Sequence, residues 1–203
     1  MIGGRVGKDG IHGATFSSEE LDTLSPVTAV QIGDPITQKK FSDAIIRELR
    51  DKDLYNSLTD NGAGGLSSSV GEMAKESGGF IVELDLVPLK YPGLQPWEIW
   101  ISESQERMTM AVSSKNLKKI IHLLNKRGVE ATVIGKFIKK NKAIVRYKKK
   151  EILNMDMNFL HEGYPRKFLK SKKPFFIQTK SVHIKTKNYK DTLLKILSSP
   201  NIT

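Results

Sequence analysis

Residues 54–75, LYNSLTDNGAGGLSSSVGEMAK, contain the transition on which the predicted fold depends. Leu54–Thr59 has the short apolar pattern of a strand, and residues 60–65 form a glycine-rich turn. A helix is predicted over Leu66–Lys75 because its apolar residues recur on one face. A strand that passes through a tight turn into a helix is typical of proteins with mixed α and β layers.

The rest of the chain continues this alternation. Asp34-Pro35 predicts a helix start, since Asp is a good N-cap and Pro a good first helical residue. The other predicted strands are Ala29–Gly33, Phe80–Leu86, Arg107–Val112, a hairpin of Glu130–Ile138 and Lys142–Tyr147 turned at Asn141, and Phe175–Thr186. The other predicted helices are Pro96–Ile101, Leu117–Leu124 and Tyr189–Leu197, with a linker from Asp156 to Pro174. This order predicts an α/β (α+β) fold, a mixed β-sheet flanked by α-helices.

Composition narrows the functional classes. The chain of 203 residues has no cysteine, which excludes disulfides, thiolate metal sites and cysteine nucleophiles within it. It has no apolar run of about 18 residues that would predict a membrane span. Its N-terminus lacks the apolar segment of a signal peptide, so a cytoplasmic location is expected.

The net charge of +11 is unevenly distributed. Residues 1–114 carry 10 Lys/Arg against 17 Asp/Glu, whereas residues 115–203 carry 23 against 5. A lysine-rich solvated surface is the favoured interpretation, because no aromatic stacking pattern or known nucleic-acid module accompanies the charge. A surface for nucleic acid, for an acidic partner or for a phosphorylated ligand remains an alternative.

Two polar clusters lie at the ends of predicted elements. Asp60 and the glycines Gly62, Gly64 and Gly65 precede a helix, whose free N–H groups and positive end favour phosphate. Asp60 could instead hold Mg²⁺ or simply cap the helix. Residues 103–107 (ESQER) offer hydrogen-bonding groups between two apolar segments and are either a binding loop or a solvated turn.

Other polar residues carry weaker signals. Gln31 interrupts a short apolar strand and is either scaffold or ligand contact. Asp9 and His12 are a titratable pair close in sequence, and His12 is either a base, a phosphate donor or a structural histidine. His122, His161 and His183 have no metal-ligand partner at helical or turn spacing.

The chain contains four motifs in register, residues 3–16 (GGRVGKDGIHGATF), 30–35 (VQIGDP), 60–66 (DNGAGGL) and 102–108 (SESQERM). Together they resemble the small-type phosphoribosylformylglycinamidine synthase subunit II of purine biosynthesis. Members of this family belong to the aminoimidazole ribonucleotide synthetase-like superfamily and contain two A-type and two B-type halves. This chain resembles the first B half alone, and the likeness thins across residues 139–188.

The resemblance implies a domain division. Residues 1–18 would be a glycine-rich interdomain lead-in, and residues 19–155 a substrate-binding B-type domain with the C-terminal-domain fold of aminoimidazole ribonucleotide synthetase. Residues 156–203 would be a basic linker to a second, missing ATP-binding domain.

The resemblance also implies roles for single residues. Gln31, Glu103, Ser104 and Gln105 would contact the substrate, formylglycinamide ribonucleotide. Asp60 would bind Mg²⁺, beside a phosphate loop of Gly62, Gly64 and Gly65. Together, positions 60 and 103–105 are expected to share one pocket.

The family's reaction uses ATP, Mg²⁺ and glutamine-derived ammonia, and its catalytic residues and most ATP contacts lie in A-type domains. The implied partners are therefore those missing domains, a glutaminase subunit and a small accessory subunit. The isolated chain is expected to be inactive. Aminoimidazole ribonucleotide synthetase and selenophosphate synthetase are related alternatives, but residues 104–107 and the lead-in argue against them.

Overall fold

The computed structural model describes residues 1–11, 34–172 and 188–199, and it divides the chain into two compact units, Met1–Tyr164 and Pro165–Thr203. The strands are β1 (Ile2–Gly3), β2 (Ser57–Asp60), β3 (Phe80–Glu83), β4 (Arg107–Ala111), β5 (Gly135–Phe137), β6 (Lys142–Tyr147) and β7 (Lys150–Asp156). The helices are α1 (Pro35–Ala44), α2 (Gly65–Ser77), α3 (Pro96–Ile101), α4 (Ser114–Lys126), α5 (Met157–Glu162) and α6 (Tyr189–Leu197). Helix α1 continues into a π-helical turn over Ile45–Leu49.

The first unit contains a three-stranded antiparallel sheet in the order β1-β4-β2. Strand β4 is central, and its register pairs Met108 with Ile2 on one side and with Asp60 on the other. Phe41 of α1, Leu49 of the π-helical turn and Leu124 of α4 are buried in the core on this sheet. The predicted helix start at Asp34 is confirmed, because its carboxylate accepts the N–H groups of Ile36 and Thr37.

A second sheet contains four strands in the order β5-β3-β6-β7. Strand β3 pairs antiparallel with β5 and parallel with β6. Helix α2 contacts β2 and β4 of the first sheet and β3 of the second. Phe80, Val82 and Leu84 pack with Leu66 and Val70 in the core beneath this helix.

The hairpin predicted at Asn141 is wrong. Strands β5 and β6 do not pair with each other, because the apolar strand β3 lies between them. Strand β3 pairs with β5 along one edge and with β6 along the other. The hairpin in this region is β6-β7, which turns at Lys148 and Lys149 with φ of 48° and 65°. Two lysines in this left-handed conformation gave no turn signal in the sequence, since Asn and Gly usually occupy it.

Two other predictions need correction. Residues 84–86 form a 3₁₀ turn rather than the end of strand β3, and the Asp85 carboxylate accepts the N–H of Lys148 at 3.0 Å. Residues 157–162 form helix α5, within the segment predicted as a linker, and Met157 is buried in the core of the first unit. The remaining described residues of that segment, 163–172, contain no helix or strand.

Helix α6 is confirmed over the predicted residues Tyr189–Leu197. The predicted strands at Ala29–Gly33 and Phe175–Thr186 lie outside the described residues. Within the described ranges, no helix is long and apolar enough to cross a membrane.

The turn at Lys148 and Lys149 provides a test of the corrected strand order. Replacing Lys148→Asn together with Lys149→Gly is expected to stabilise the protein by about 1 kcal/mol, because L-residues other than Asn and Gly pay for positive φ. The free energy of unfolding in urea measures the effect.

The matched control is Lys139→Asn with Lys140→Gly, beside the turn that the sequence predicted. Neither of these lysines has a positive φ, so the control is expected to give no gain. A gain in the control and none at Lys148 and Lys149 would contradict the strand order described above.

Candidate functional site

The turn between β2 and α2 is the first part of the candidate site. Gly64 and Gly65 in this turn have φ of 78° and 55°, which residues other than glycine rarely adopt. The carboxylate of Asp60 accepts the N–H of Gly62 at 2.8 Å, and the N–H of Gly65 donates to the carbonyl of Gly62 at 2.8 Å. These bonds fix the turn that starts helix α2.

The loop between α3 and β4 is the second part. Ser102 and Ser104 are fully buried, Glu103 is half-buried and Gln105 is exposed. Glu106 has a φ of 54°, and its carbonyl accepts the N–H of Gly4 at 2.8 Å. Buried and exposed residues therefore alternate, with Glu103 and Gln105 on the accessible side.

The structure brings these two loops into direct contact. The N–H of Gly64 donates to Oε1 of Glu103 at 3.3 Å. A Cβ atom on Gly65 would lie 2.0 Å from the carbonyl oxygen of Ser102. Glycine avoids this overlap because it has no Cβ atom. Asp60 and the loop of residues 102–105 therefore lie at one end of the sheet formed by β2 and β4.

Residues 7–10, which belong to the motif of residues 3–16, are a third part of the candidate site. The Asp9 carboxylate is buried and accepts the hydroxyl of Ser104 and the ammonium of Lys90, the latter at 2.9 Å. Its carbonyl accepts the N–H of Glu103 at 2.8 Å. The N–H of Gly7 donates to the Ser104 hydroxyl at 2.9 Å.

Arg107 closes the loop from the opposite side. Its Nε donates to the carbonyl of Ser104 at 2.6 Å and its Nη2 to the carbonyl of Ser102 at 2.5 Å. Burial lowers the pKa of Arg107 to about 10, and the charge of Asp9 opposes that shift. The sequence marked Arg107 only as part of the polar segment 103–107, because a buried arginine at the start of a strand has no distinguishing sequence signal.

A cluster of small polar side chains packs against the turn between β2 and α2. Oδ1 of Asn61 accepts the hydroxyls of Ser69 at 2.6 Å and Thr109 at 2.8 Å. Nδ2 of Asn61 and Nη1 of Arg107 are buried and have no hydrogen-bond partner among the described residues. These contacts tie the residue after Asp60 to both α2 and β4.

The structure locates most of the residues singled out from the sequence. Gln31 and His12 lie outside the described residues, as does His183. His122 is exposed on α4 and His161 is on α5, and neither is in the loops described here. The Ser104 hydroxyl is buried and bonded to Asp9, so its side chain is engaged within the protein.

The glycine turn differs from an open phosphate cradle. The N–H groups of Gly62, Gly64 and Gly65 donate to Asp60, Glu103 and Gly62, respectively. Two carboxylates flank the turn, and their charge disfavours a bare phosphate. A phosphate role for these glycines therefore stays a prediction, and it requires displacement of Glu103 from Gly64.

The binding of Mg²⁺ by Asp60 stays a prediction, and the turn presents one exposed carboxylate for it. Asp60 is exposed, and among the described residues no group of three or more His, Cys, Asp or Glu side chains could hold a metal ion. Mg²⁺ commonly keeps several waters and binds one or two carboxylates together with substrate oxygens. Asp60 suits this mode of binding rather than a closed protein cage.

A separate apolar cleft of about 700 Å³ lies between α2, α4 and β5. Its lining includes Val70, Ile120 and Phe137 but none of residues 60–65 or 102–105. The polar loops are therefore distinct from this cleft.

Comparison with known proteins now identifies the class. Residues 2–148 match the family described as AIR synthase related protein, C-terminal domain, and the chain belongs to this family. The fold class expected from the sequence is thereby confirmed.

The similar proteins within this class share one name. The chain is 38% identical over 208 residues to phosphoribosylformylglycinamidine synthase subunit PurL of Picrophilus torridus, and 36% identical to that of Methanopyrus kandleri. These matches cover the whole chain but only 27% and 28% of the relatives. The likeness to subunit II that the four motifs indicate is confirmed.

Solved structures give the same result. PurL of Thermotoga maritima complexed with FGAR matches with a TM-score of 0.69 and 34% identity, over 86% of this chain and 30% of that chain. The same protein complexed with ADP matches with a TM-score of 0.70 and 28% identity, over 96% and 30%. PurLQS from the same organism matches with a TM-score of 0.66 and 30% identity, over 88% and 28%.

The contact between the loops provides a test. Gly65→Ala is expected to cost more than 2 kcal/mol of stability, because the new methyl group collides with Ser102 and positive φ alone costs about 1–2 kcal/mol. Urea unfolding measures this loss.

Gly93→Ala is the matched control, since Gly93 has a φ of 95° but no atom within 4 Å of an added Cβ. It carries the conformational cost without the collision. An equal loss in both variants would show that the two loops are not in tight contact.

Proposed function

We propose that this chain is the substrate-binding part of a phosphoribosylformylglycinamidine synthase, an ATP-dependent carbon–nitrogen ligase of purine biosynthesis. The enzyme would convert formylglycinamide ribonucleotide, glutamine-derived ammonia and ATP to the amidine, ADP and phosphate. The observation that carries this proposal is the contact between the Asp60 turn and the Glu103 loop in a chain similar to PurL complexed with FGAR.

The ligand-facing groups are Glu103 and Gln105. Glu103 presents a carboxylate at the loop surface, and within the described ranges this carboxylate accepts a 3.3 Å bond from Gly64, with which hydroxyl or N–H donors of a ligand can compete. The exposed Gln105 side chain carries both a donor and an acceptor, and its Nε2 donates to the carbonyl of Glu103 at 3.2 Å. This set suits the hydroxyls and amide of a ribonucleotide better than its phosphate.

Ser104 contributes to the site through the backbone that it fixes. Its hydroxyl bonds to Asp9 inside the protein, and its carbonyl accepts Arg107. We propose that Gln31 joins these residues in contacting the substrate, as the resemblance implies.

Asp60 is proposed to bind Mg²⁺ together with substrate oxygens. When bound, ATP with Mg²⁺ supplies the phosphoryl group that activates the amide oxygen of the substrate for displacement by ammonia. The role of Asp60 and Glu103 is to hold metal and substrate at one edge of the domain. A divalent cation there would also offset the repulsion between their carboxylates.

The catalytic residues and most of the ATP-binding residues are proposed to lie in partner domains. The chain spans 27–28% of the length of the curated relatives, so we propose that A-type, ATP-binding domains complete the site. A glutaminase subunit and a small accessory subunit would deliver ammonia to a cytoplasmic complex. Residues 19–155 would be the substrate-binding domain, and the lysine-rich residues 156–203 would lead to the second ATP-binding domain.

Calorimetric titration with formylglycinamide ribonucleotide tests the substrate assignment. Binding is expected in the presence of Mg²⁺, and Glu103→Gln is expected to weaken it about tenfold because a charge-assisted hydrogen bond is lost. Asp60→Asn is expected to remove the dependence on Mg²⁺. Asp51→Asn, an exposed acid outside both loops, serves as the control and should bind as the unaltered chain does.

An absence of binding at millimolar ligand would refute the proposed function. Equal affinities of the Glu103→Gln variant and the control would refute the site.

Coupled measurement of ADP release tests the need for partner domains. With ATP, Mg²⁺, ammonia and formylglycinamide ribonucleotide, the chain alone is expected to show no turnover, since phosphoryl transfer needs several groups converging on one centre. Turnover above background would show that the chain is catalytically sufficient.

A further inference from the structure

The contacts that Asp9 and Arg107 make with the loop of residues 102–105 end on its backbone or on a buried hydroxyl. Asp9 accepts the Glu103 N–H through its carbonyl and the Ser104 hydroxyl through its carboxylate. Arg107 donates to the carbonyls of Ser102 and Ser104. None of these bonds uses the side chain of Glu103.

We propose that Asp9 and Arg107 are positioning residues, which hold this loop so that Glu103 and Gln105 face the ligand. The inference rests on the proposed function, because it assigns roles in binding the same ribonucleotide. It extends that function to two buried residues that touch no ligand themselves.

Charge and geometry favour this role. Asp9 is buried beside the ammonium of Lys90. This ammonium balances the negative charge of the carboxylate that accepts the Ser104 hydroxyl. The guanidinium of Arg107 spans two carbonyls that lie two residues apart, which a lysine ammonium cannot do with the same geometry. Burial of both groups leaves them little freedom to move.

The network also crosses between distant parts of the chain. Asp9 follows the edge strand β1, Lys90 lies in the loop after β3, and Arg107 begins β4. The loop is therefore fixed before a ligand arrives, and a fixed loop binds with less ordering cost than one that must be ordered on binding.

Glu98 offers a matched control for this network. Like Asp9, it is a buried acid that pairs with a lysine, and its Oε1 lies 3.1 Å from Nζ of Lys8. Its carboxylate also accepts the N–H of Gln95, and it makes no side-chain bond to residues 102–105. Its partner Lys8 adjoins Asp9, but Glu98→Gln removes none of the hydrogen bonds that Asp9 and Arg107 make with residues 102–105.

The test compares Asp9→Asn, Arg107→Lys and Glu98→Gln in the full chain. Each is titrated with formylglycinamide ribonucleotide and Mg²⁺, and its thermal midpoint is measured in parallel. Asp9→Asn and Arg107→Lys are expected to raise the Kd about tenfold or more, because small displacements of a binding group are costly. Glu98→Gln is expected to leave the Kd within about twofold of the unaltered chain, even where its thermal midpoint falls as far.

A double variant separates positioning from general destabilisation. If Asp9 acts through Glu103, then Asp9→Asn should weaken binding far less in a chain that already carries Glu103→Gln. Lys90→Met, at a partly exposed residue, provides a second variant if Asp9→Asn does not fold, and it should also raise the Kd.

The outcomes distinguish the positioning role of Asp9 and Arg107 from the proposed function on which it rests. If the unaltered chain binds and the Asp9 and Arg107 variants bind equally well, the positioning role is overturned while the proposed function stands. An equal rise of the Kd in Glu98→Gln also overturns it, because any buried ion pair would then serve. If the unaltered chain does not bind, the proposed function fails and the positioning role fails with it.

Discussion

The close approach of Gly65 to the carbonyl of Ser102 is the constraint on which the candidate site depends. The first residue of α2 touches the loop that leaves α3, with no room for a single methyl group between them. Strands β2 and β4 are paired directly beneath this contact, and Asn61 bonds to residues on both α2 and β4. Two segments about forty residues apart in sequence therefore share one rigid edge.

Electrostatics then restricts what this edge can bind. Asp60 and Glu103 place two carboxylates around the turn, while the nearby cations Lys90 and Arg107 are directed at Asp9 and at loop carbonyls. The exposed character of the edge is consequently acidic, although the chain as a whole carries a net charge of +11. Hydroxyl donors, N–H donors and a divalent cation match this environment.

Much of the architecture could be read from periodicity and from local signals. Asp34-Pro35, the glycine turn at residues 60–65 and the stripe along α4 each specify their element by local geometry. The order of strands in the second sheet could not be read in this way. Strand β3 separates β5 from β6, and pairing between residues so far apart leaves no local trace.

The site shows the same division. The residues at the loop surface could be recognised because polar residues in unusual density interrupt apolar segments. The buried residues that shape the loop could not, because an aspartate in a glycine-rich segment and an arginine at a strand start are equally compatible with solvent exposure. Only the fold shows that Asp9, Lys90 and Arg107 converge on Ser102 and Ser104.

The central claim is that the Asp60 turn and the Glu103 loop form one binding site. Paramagnetic broadening of backbone amide signals by Mn²⁺, used in place of Mg²⁺ with formylglycinamide ribonucleotide present, tests it most directly. We expect the amides of residues 60–65 and 103–105 to broaden together and at the same metal concentration. Broadening of one loop without the other, or of the two loops at clearly different concentrations, would show that they do not share a ligand.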